Sequence, residues 1–277
     1  MIKDILVSLR IGEGPDTAVD YAASAAAALG AHLTGVAISY EIDVPPVYTE
    51  AFSTDFIEAQ RVESQRLAEV AVARFGEAAR SLGLSGEVRT VDGTPGGAAE
   101  QIGVMARLYD LAIVSQADPE RMGAEEVITE AVLFDSGRPV LLVPRNYQKP
   151  FSANRILVAW DGGRAAARAV AEARPLLAHA NLVEAAVVVT GKKKADDLPG
   201  ADLARHLARH EKTVELRRLV PSGDEGIVDV LLKEVAARDI DLVVMGGYGH
   251  SRLREFVLGG VTRDILERMT VPLFLAH

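Results

Sequence analysis

The sequence predicts an α/β protein built as two tandem doubly wound domains, each an open five-stranded parallel sheet with helices on both faces. Three observations lead there. Short β-branched runs alternate with longer Ala-rich, charged stretches of helical period. The whole alternation occurs twice in the same order, and a polar, proline-bearing segment separates the two copies.

The first copy opens with ILVSL and the second with ILVAW, so that Ile5, Leu6 and Val7 match Ile156, Leu157 and Val158. YDLAIVSQ (109–116) matches IDLVVMGG (240–247), and RPVLLVP (138–144) matches VPLFLAH (271–277), aligning Pro139 with Pro272. Between these anchors the first copy carries LTGVAIS and GEVRTV as further strand candidates, with TAVDYAASAAAAL and ESQRLAEVAVARFGEAARSLG as helices. The second carries VEAAVVV and VELRRLV, with AAARAVAEARPLLAHA and GIVDVLLKEVAARD. That rhythm predicts parallel βαβ units whose strands are buried on both faces. The separating segment RNYQKPFSAN (145–154) divides the chain into domains 1–145 and 154–277. The copies diverge between their second and third strands, where the first places EIDVPPVYTEAFSTDF (41–56) ahead of its helix. The runs VLLVP and PLFLA are expected at sheet edges. An apolar edge must be paired or covered, so the two domains are expected to pair within one chain, with a homodimer as a further option.

Composition narrows the function. A net charge of −9 and a pI near 5.3 argue against nucleic acid and anionic membranes as partners, because both demand a basic surface. The chain has no cysteine, hence no disulfide, thiolate nucleophile or cysteine metal site. Asp4 and Arg10 interrupt the apolar N-terminal stretch, and no later run reaches the roughly 18 apolar residues of a membrane helix. A cytoplasmic location is the expectation.

The stretch GGYGHSRLREFVLGGVT (246–262) directly follows the fourth strand of the second copy. In an open parallel sheet, ligands bind beyond the carboxyl ends of the strands. Glycine corners there, followed by a helix starting near Gly259 to Thr262, would make an anion cradle from backbone N–H groups and a positive dipole end, with the Thr262 hydroxyl as a further donor. Phosphate is the natural guest. The stretch is not a Walker loop, since GxxxxGK[ST] does not occur, nor the Rossmann fingerprint, which belongs after the first strand.

The spacing of Gly246, Gly249 and Gly259 resembles G-x2-G-x9-G-[S/T], the pattern that nucleotide-binding members of the universal stress protein family carry after the fourth strand. The repeat, the strand order and the ILVAWDG opening fit as well, so the chain resembles two fused domains of that family. The resemblance implies a stress-response sensor or regulator that binds one ATP, or AMP or ADP, with Mg as an option beside the nucleotide. It implies that Asp161 helps hold the adenosine with Ala159 on the same rim, that Met245 and Val188 line the adenine slot, and that Gly246, Gly249, Gly259, Gly260, Val261 and Thr262 surround ribose and phosphates. Gly260 departs from the pattern by standing where the family places a serine or threonine. The lost hydroxyl is worth about 1.5–3 kcal/mol when it bonds a charged group. The first copy has lost the pattern: Arg10 stands where the acid should be, and Asp118, Glu120, Glu125 and Glu126 replace the cradle, so the nucleotide site is expected in the second copy alone.

Plainer roles compete at several positions. The glycines could instead serve turns in a vestigial pocket, and Asp161 suits a helix N-cap equally well. His206 and His210, four apart with Asp202 nearby, are better read as a solvated helix face than as a metal site, because a third ligand is missing. Lys192 to Lys194 read as a solvated loop, and Arg252 and Arg254 as phosphate neighbours or surface charge. Trp160 is a packing residue and a fluorescent reporter beside the site. No nucleophile is spaced to pair with a base, so at most slow ATP hydrolysis is expected. The alternatives to a nucleotide sensor are a ligand-free interaction scaffold and a slow nucleotide hydrolase.

Overall fold

Residues 1–12, 14–41, 53–118, 124–189, 200–210, 213–248 and 260–277 are described by the computed structural model of the chain. They divide into two units, Ile2–Phe151 and Ser152–His277. The first runs β1 (Asp4–Ser8), α1 (Thr17–Leu29), β2 (His32–Tyr40), α2 (Thr54–Ser81), β3 (Gly86–Gly93), α3 (Pro95–Ala106), β4 (Leu111–Ser115), α4 (Glu125–Asp135) and β5 (Val140–Val143). Its strands lie in the order β3-β2-β1-β4-β5, all parallel. The second runs β6 (Arg155–Ala159), α5 (Arg164–Leu177), β7 (Leu182–Val188), α6 (Ala201–Leu207), β8 (Val214–Leu219), α7 (Ile227–Ala237), β9 (Leu242–Gly246), α8 (Val261–Arg268) and β10 (Leu273–Ala276). Its order β8-β7-β6-β9-β10 repeats that of the first unit, again all parallel.

Local chemistry sets the helix ends. Asp16 caps α1, accepting from the Val19 N–H at 3.3 Å, and Gly30 closes it in the left-handed region at φ +60°. Thr94 caps α3, with Pro95 in its first turn. The helix α2 begins at Thr54, so the end of the 41–56 segment that the sequence placed ahead of it is already helical. Ser53 accepts from the Phe56 N–H at 3.2 Å and starts the helix there. Its first turns are exposed and carry the i,i+3 ion pairs Arg61–Glu58 and Arg66–Glu63. Further along, Phe75 is buried over two glycines of neighbouring strands. A Cβ on Gly35 would stand 2.9 Å from the ring and one on Gly86 2.7 Å, so the aromatic fills a trough that only missing side chains leave open.

The central strands are apolar and buried along their length, as parallel strands covered on both faces must be. The same expectation fails at β3, which is exposed at most positions, and at β8, which is half-buried or exposed until Leu219. Each is the outermost strand of its order and carries charge, Glu87 and Arg89 on β3 and Glu215, Arg217 and Arg218 on β8. One carboxylate lies inside the second unit. Glu184 of β7 is fully buried and accepts from Arg238 Nε at 2.7 Å, in a network with Glu215, Arg217 and Glu234. Thr34 holds the corresponding position in β2, opposite Leu6 as Glu184 is opposite Leu157.

Candidate functional site in the second unit

The order β8-β7-β6-β9-β10 makes the chain leave β6 towards β7 and return to β6's other side through β9. The carboxyl ends of β6 and β9 therefore mark the point where connections diverge and a crevice opens. There Ala159 lies in register with Met245 on one side and Ala186 on the other. Met245 is buried, while Ala159 and Val188, the last residue of β7, are half-buried. These three side chains make a small apolar rim.

Beyond β6, the Trp160 N–H donates to the Ala186 carbonyl at 2.8 Å, and Trp160 is half-buried. Asp161 is exposed and its Oδ1 accepts from the Gly163 N–H at 2.7 Å. The N-cap of α5 is Gly163, not Asp161 as the sequence suggested. Gly162, at φ +81°, turns the chain so that the helix starts two residues later, and no side chain caps it.

Beyond β9, Gly246 is required by packing alone. A Cβ there would sit 2.4 Å from the Ala166 nitrogen and 2.7 Å from the Ala165 carbonyl carbon, both backbone of α5. The next residues build a bridged corner. The Gly247 N–H donates to the Ala276 carbonyl at 2.9 Å, and His277 Nδ1 donates to the Gly247 carbonyl at 3.0 Å. The N–H of Tyr248, itself left-handed at φ +50°, donates to Thr262 Oγ1 at 3.2 Å. Thr262 is buried, so its hydroxyl ties the start of α8 to the end of β9. Gly260 is the N-cap of α8, with Val261 opening the helix and no side-chain bond to its first N–H groups. Gly249 and Gly259, like Lys192 to Lys194, Arg252 and Arg254, lie outside the described residues.

The crevice at the corresponding place in the first unit is closed. Ser8, Leu9, Arg10, Ile38, Tyr40 and Glu125 are among its walls and leave a cavity of about 10 Å³, no more than a water needs. Burial raises the Tyr40 phenol above its ordinary pKa, and the Glu125 carboxylate adds to the shift. Arg10 is held there by its own backbone, whose N–H donates to Asp16 Oδ2 at 2.8 Å. Asp118 is engaged by Arg145 at 2.5 Å, and Glu120 lies outside the described residues.

Among the described residues no group of three His, Cys, Asp or Glu side chains could hold a metal ion. His206 and His210 are exposed with ring centroids 5.5 Å apart, Asp202 pairs with Arg205, and His210 Nδ1 lies 3.1 Å from the Arg174 guanidinium. Nor is any helix among the described residues long and apolar enough to cross a membrane. A feature that the sequence did not disclose is a cleft of about 400 Å³ lined by Arg164, Ala165, Arg168 and His277.

Two doubly wound units of identical strand order define a tandem Rossmann-like α/β protein. The sequence profile of the universal stress protein family matches residues 153–277, which lie within the second unit. Universal stress protein Slr1230 of Synechocystis is 28% identical over 149 residues, which are 52% of this chain and 48% of that protein, so the chain spans about half the length of this curated relative. A universal stress protein from Archaeoglobus fulgidus superposes with a TM-score of 0.71 over 99% of this chain and 97% of that one, at 16% identity. A putative universal stress protein from Pseudomonas aeruginosa gives 0.57 over 99% and 93%, at 15% identity. At such identities the likeness concerns the fold.

Proposed function

We propose that the second unit binds one adenine nucleotide per chain in the crevice between β6 and β9, and that the protein acts as a nucleotide-dependent sensor in a stress response. The observation that carries this reading is the pairing of an apolar rim, Ala159, Val188 and Met245, with the uncapped first turns of α5 and α8 at the same end of the sheet. The rim suits a flat base, and the free N–H groups suit phosphates. Asp161, exposed beside the rim, is available to a ribose hydroxyl through the lone pairs left by its bond to Gly163. ATP is the leading guest, with ADP and AMP sharing the same base and sugar. Magnesium, where present, would be held chiefly by phosphates and water, as is usual for that ion. The closed crevice of the first unit supports a stoichiometry of one.

Titration of the full chain with ATP, AMP and GTP, followed by Trp160 fluorescence and calorimetry, tests the reading. The expected outcome is one adenine nucleotide per chain, with GTP weaker and with a Val188→Trp variant, which fills the slot, failing to bind. No binding of any of the three at millimolar concentration would overturn it. The scaffold reading draws on Gly246, since backbone contact with Ala165 and Ala166 accounts for that glycine without any ligand. It would then be the reading to adopt.

A further inference from the structure

The polar segment 145–154 joins the two units, and hydrogen bonds hold it on both sides of the peptide between Phe151 and Ser152, where the units divide. On the first side it lies along α1. The Thr17 hydroxyl, buried in the first turn of α1, donates to the Pro144 carbonyl at 3.1 Å, and the Tyr147 N–H donates to that same carbonyl at 3.0 Å. The Arg145 N–H donates to Gln116 Oε1 at 3.2 Å. About two turns along the helix, Ser24 Oγ accepts from the Phe151 N–H at 2.8 Å and donates to the Tyr21 carbonyl at 2.8 Å. Between those bonds the buried Tyr21 ring meets Tyr147 at 5.8 Å and Phe151 at 5.6 Å, both at 69°, the edge-on geometry that aromatic pairs prefer. Pro150 fixes its own φ and disfavours helical backbone at Lys149, which stiffens the span from Tyr147 to Phe151.

On the second side a carboxylate takes over. Asp241 Oδ2 accepts from the Ser152 hydroxyl at 2.9 Å, the Asn154 N–H at 3.1 Å and the Arg155 N–H at 2.9 Å. The Asn154 carbonyl accepts from the N–H groups of Asn181 and Leu182 at 2.8 and 3.0 Å. Asp110, which matches Asp241 in the internal repeat, accepts in the same way from the N–H groups of Lys3 and Asp4 at 2.7 and 3.1 Å. The clamp on the entry to β6 is thus part of the repeated plan, and Ser152 adds a donor to it. Between the two sides, the N–H groups of Ser152 and Ala153 donate to no acceptor among the described residues.

From this we infer that the segment is a conformational device, a strap clamped independently to α1 and to the start of β6 and β9, with its free joint at Phe151–Ser152. The peptide at that joint is planar, so its soft torsions are ψ of Phe151 and φ of Ser152. A free link of the same length would let the units sway as on a tether, whereas this one confines their relative motion to rotation about a few torsions. Asp241 ties the joint to β6 and β9, the strands that flank the candidate crevice. The device stands whether or not a nucleotide binds there.

The test is amide hydrogen exchange of the full chain, read residue by residue by NMR, since exchange reports local opening. In the parent, the Phe151, Asn154 and Arg155 amides should exchange at least about a hundredfold more slowly than in an unstructured peptide, and those of Ser152 and Ala153 within about tenfold of it. S24A, which places the best helix former at a half-buried position, should speed Phe151 about tenfold or more and leave Asn154 and Arg155 unchanged. D241N should do the reverse. Phe151 or Asn154 exchanging at the peptide rate in the parent would mean a free tether and overturn the strap. Ser152 and Ala153 as protected as Asn154, or S24A speeding Asn154 as much as Phe151, would mean one block without a joint and overturn it too. Phe151 unmoved in S24A would remove the clamp on α1. If D241N does not fold, the parent and S24A decide the matter between them.

Discussion

Gly246 illustrates how one residue can satisfy a motif and a packing constraint at once. Its missing Cβ lets the start of α5 approach the end of β9, and the nearest atoms are backbone that cannot swing aside. Gly246→Ala should therefore destabilise the chain by about 1–3 kcal/mol, the usual cost of overpacking, read as a lower urea midpoint without any ligand present. Gly246 was legible in the sequence as a special position, but its reason was not, because the pattern of glycines cannot say whether a ligand or a helix lies against them. Asp161 was half legible: its hydrogen bond at the helix start was foreseeable, while the shift of the cap to Gly163 depended on the left-handed turn at Gly162. A second residue-scale prediction concerns Asp16. Its carboxyl is almost wholly buried, and desolvation, the largest influence, raises its pKa despite the backbone N–H groups of Arg10 and Val19 and the nearby Arg74. The folded state thus holds the proton more tightly than the unfolded one. Its contribution to stability is fully present below the ordinary carboxylate range and is lost as pH rises through the raised folded value. The stability difference between the parent and Asp16→Asn should accordingly move in the parent's favour as pH falls from 7 towards 4. Urea unfolding of both proteins across that range checks the sign.

At the scale of elements, strand runs were the easiest to read, because a covered parallel strand must be continuously apolar. What the runs concealed was position in the order: β3 and β8 read as strands by their β-branched residues, yet their charges already belonged to edges. The start of α2 was harder. Ser53 is a good N-cap, but the turns after it are mixed in polarity and largely exposed, so their periodicity carries little signal until Ala68 begins the buried face. The join between α2 and the sheet rests on Phe75 above Gly35 and Gly86. Phe75→Ala should cost about 3–5 kcal/mol, since rigid backbone on two strands cannot collapse into the space. Denaturant unfolding would detect this directly, and a loss below about 1 kcal/mol would mean that the trough closes.

For the molecule as a whole, the repeat was the most informative feature of the sequence, and it also explains what stayed hidden. Matching strands disclosed two copies of one plan, while the difference between their helix starts, an Asp16 side-chain cap on α1 and a Gly163 cap without side chain on α5, became visible only in the structure. The loss of the nucleotide pattern in the first copy was expected from Arg10 and its acids, whereas the walls that narrow its crevice include Leu9, just beyond β1, and Ile38 and Tyr40 of β2. With that crevice shut, the shape of any signal is constrained. A receptor with several coupled sites can answer a small change in ligand steeply, but a chain with one working crevice has a Hill coefficient no greater than one unless chains associate. On the one-site reading, such a chain passes from a tenth to nine-tenths occupied over roughly two decades of nucleotide concentration. It would report the level of its nucleotide as a graded dial, and any sharp threshold in the cell's response would have to be set by whatever reads it.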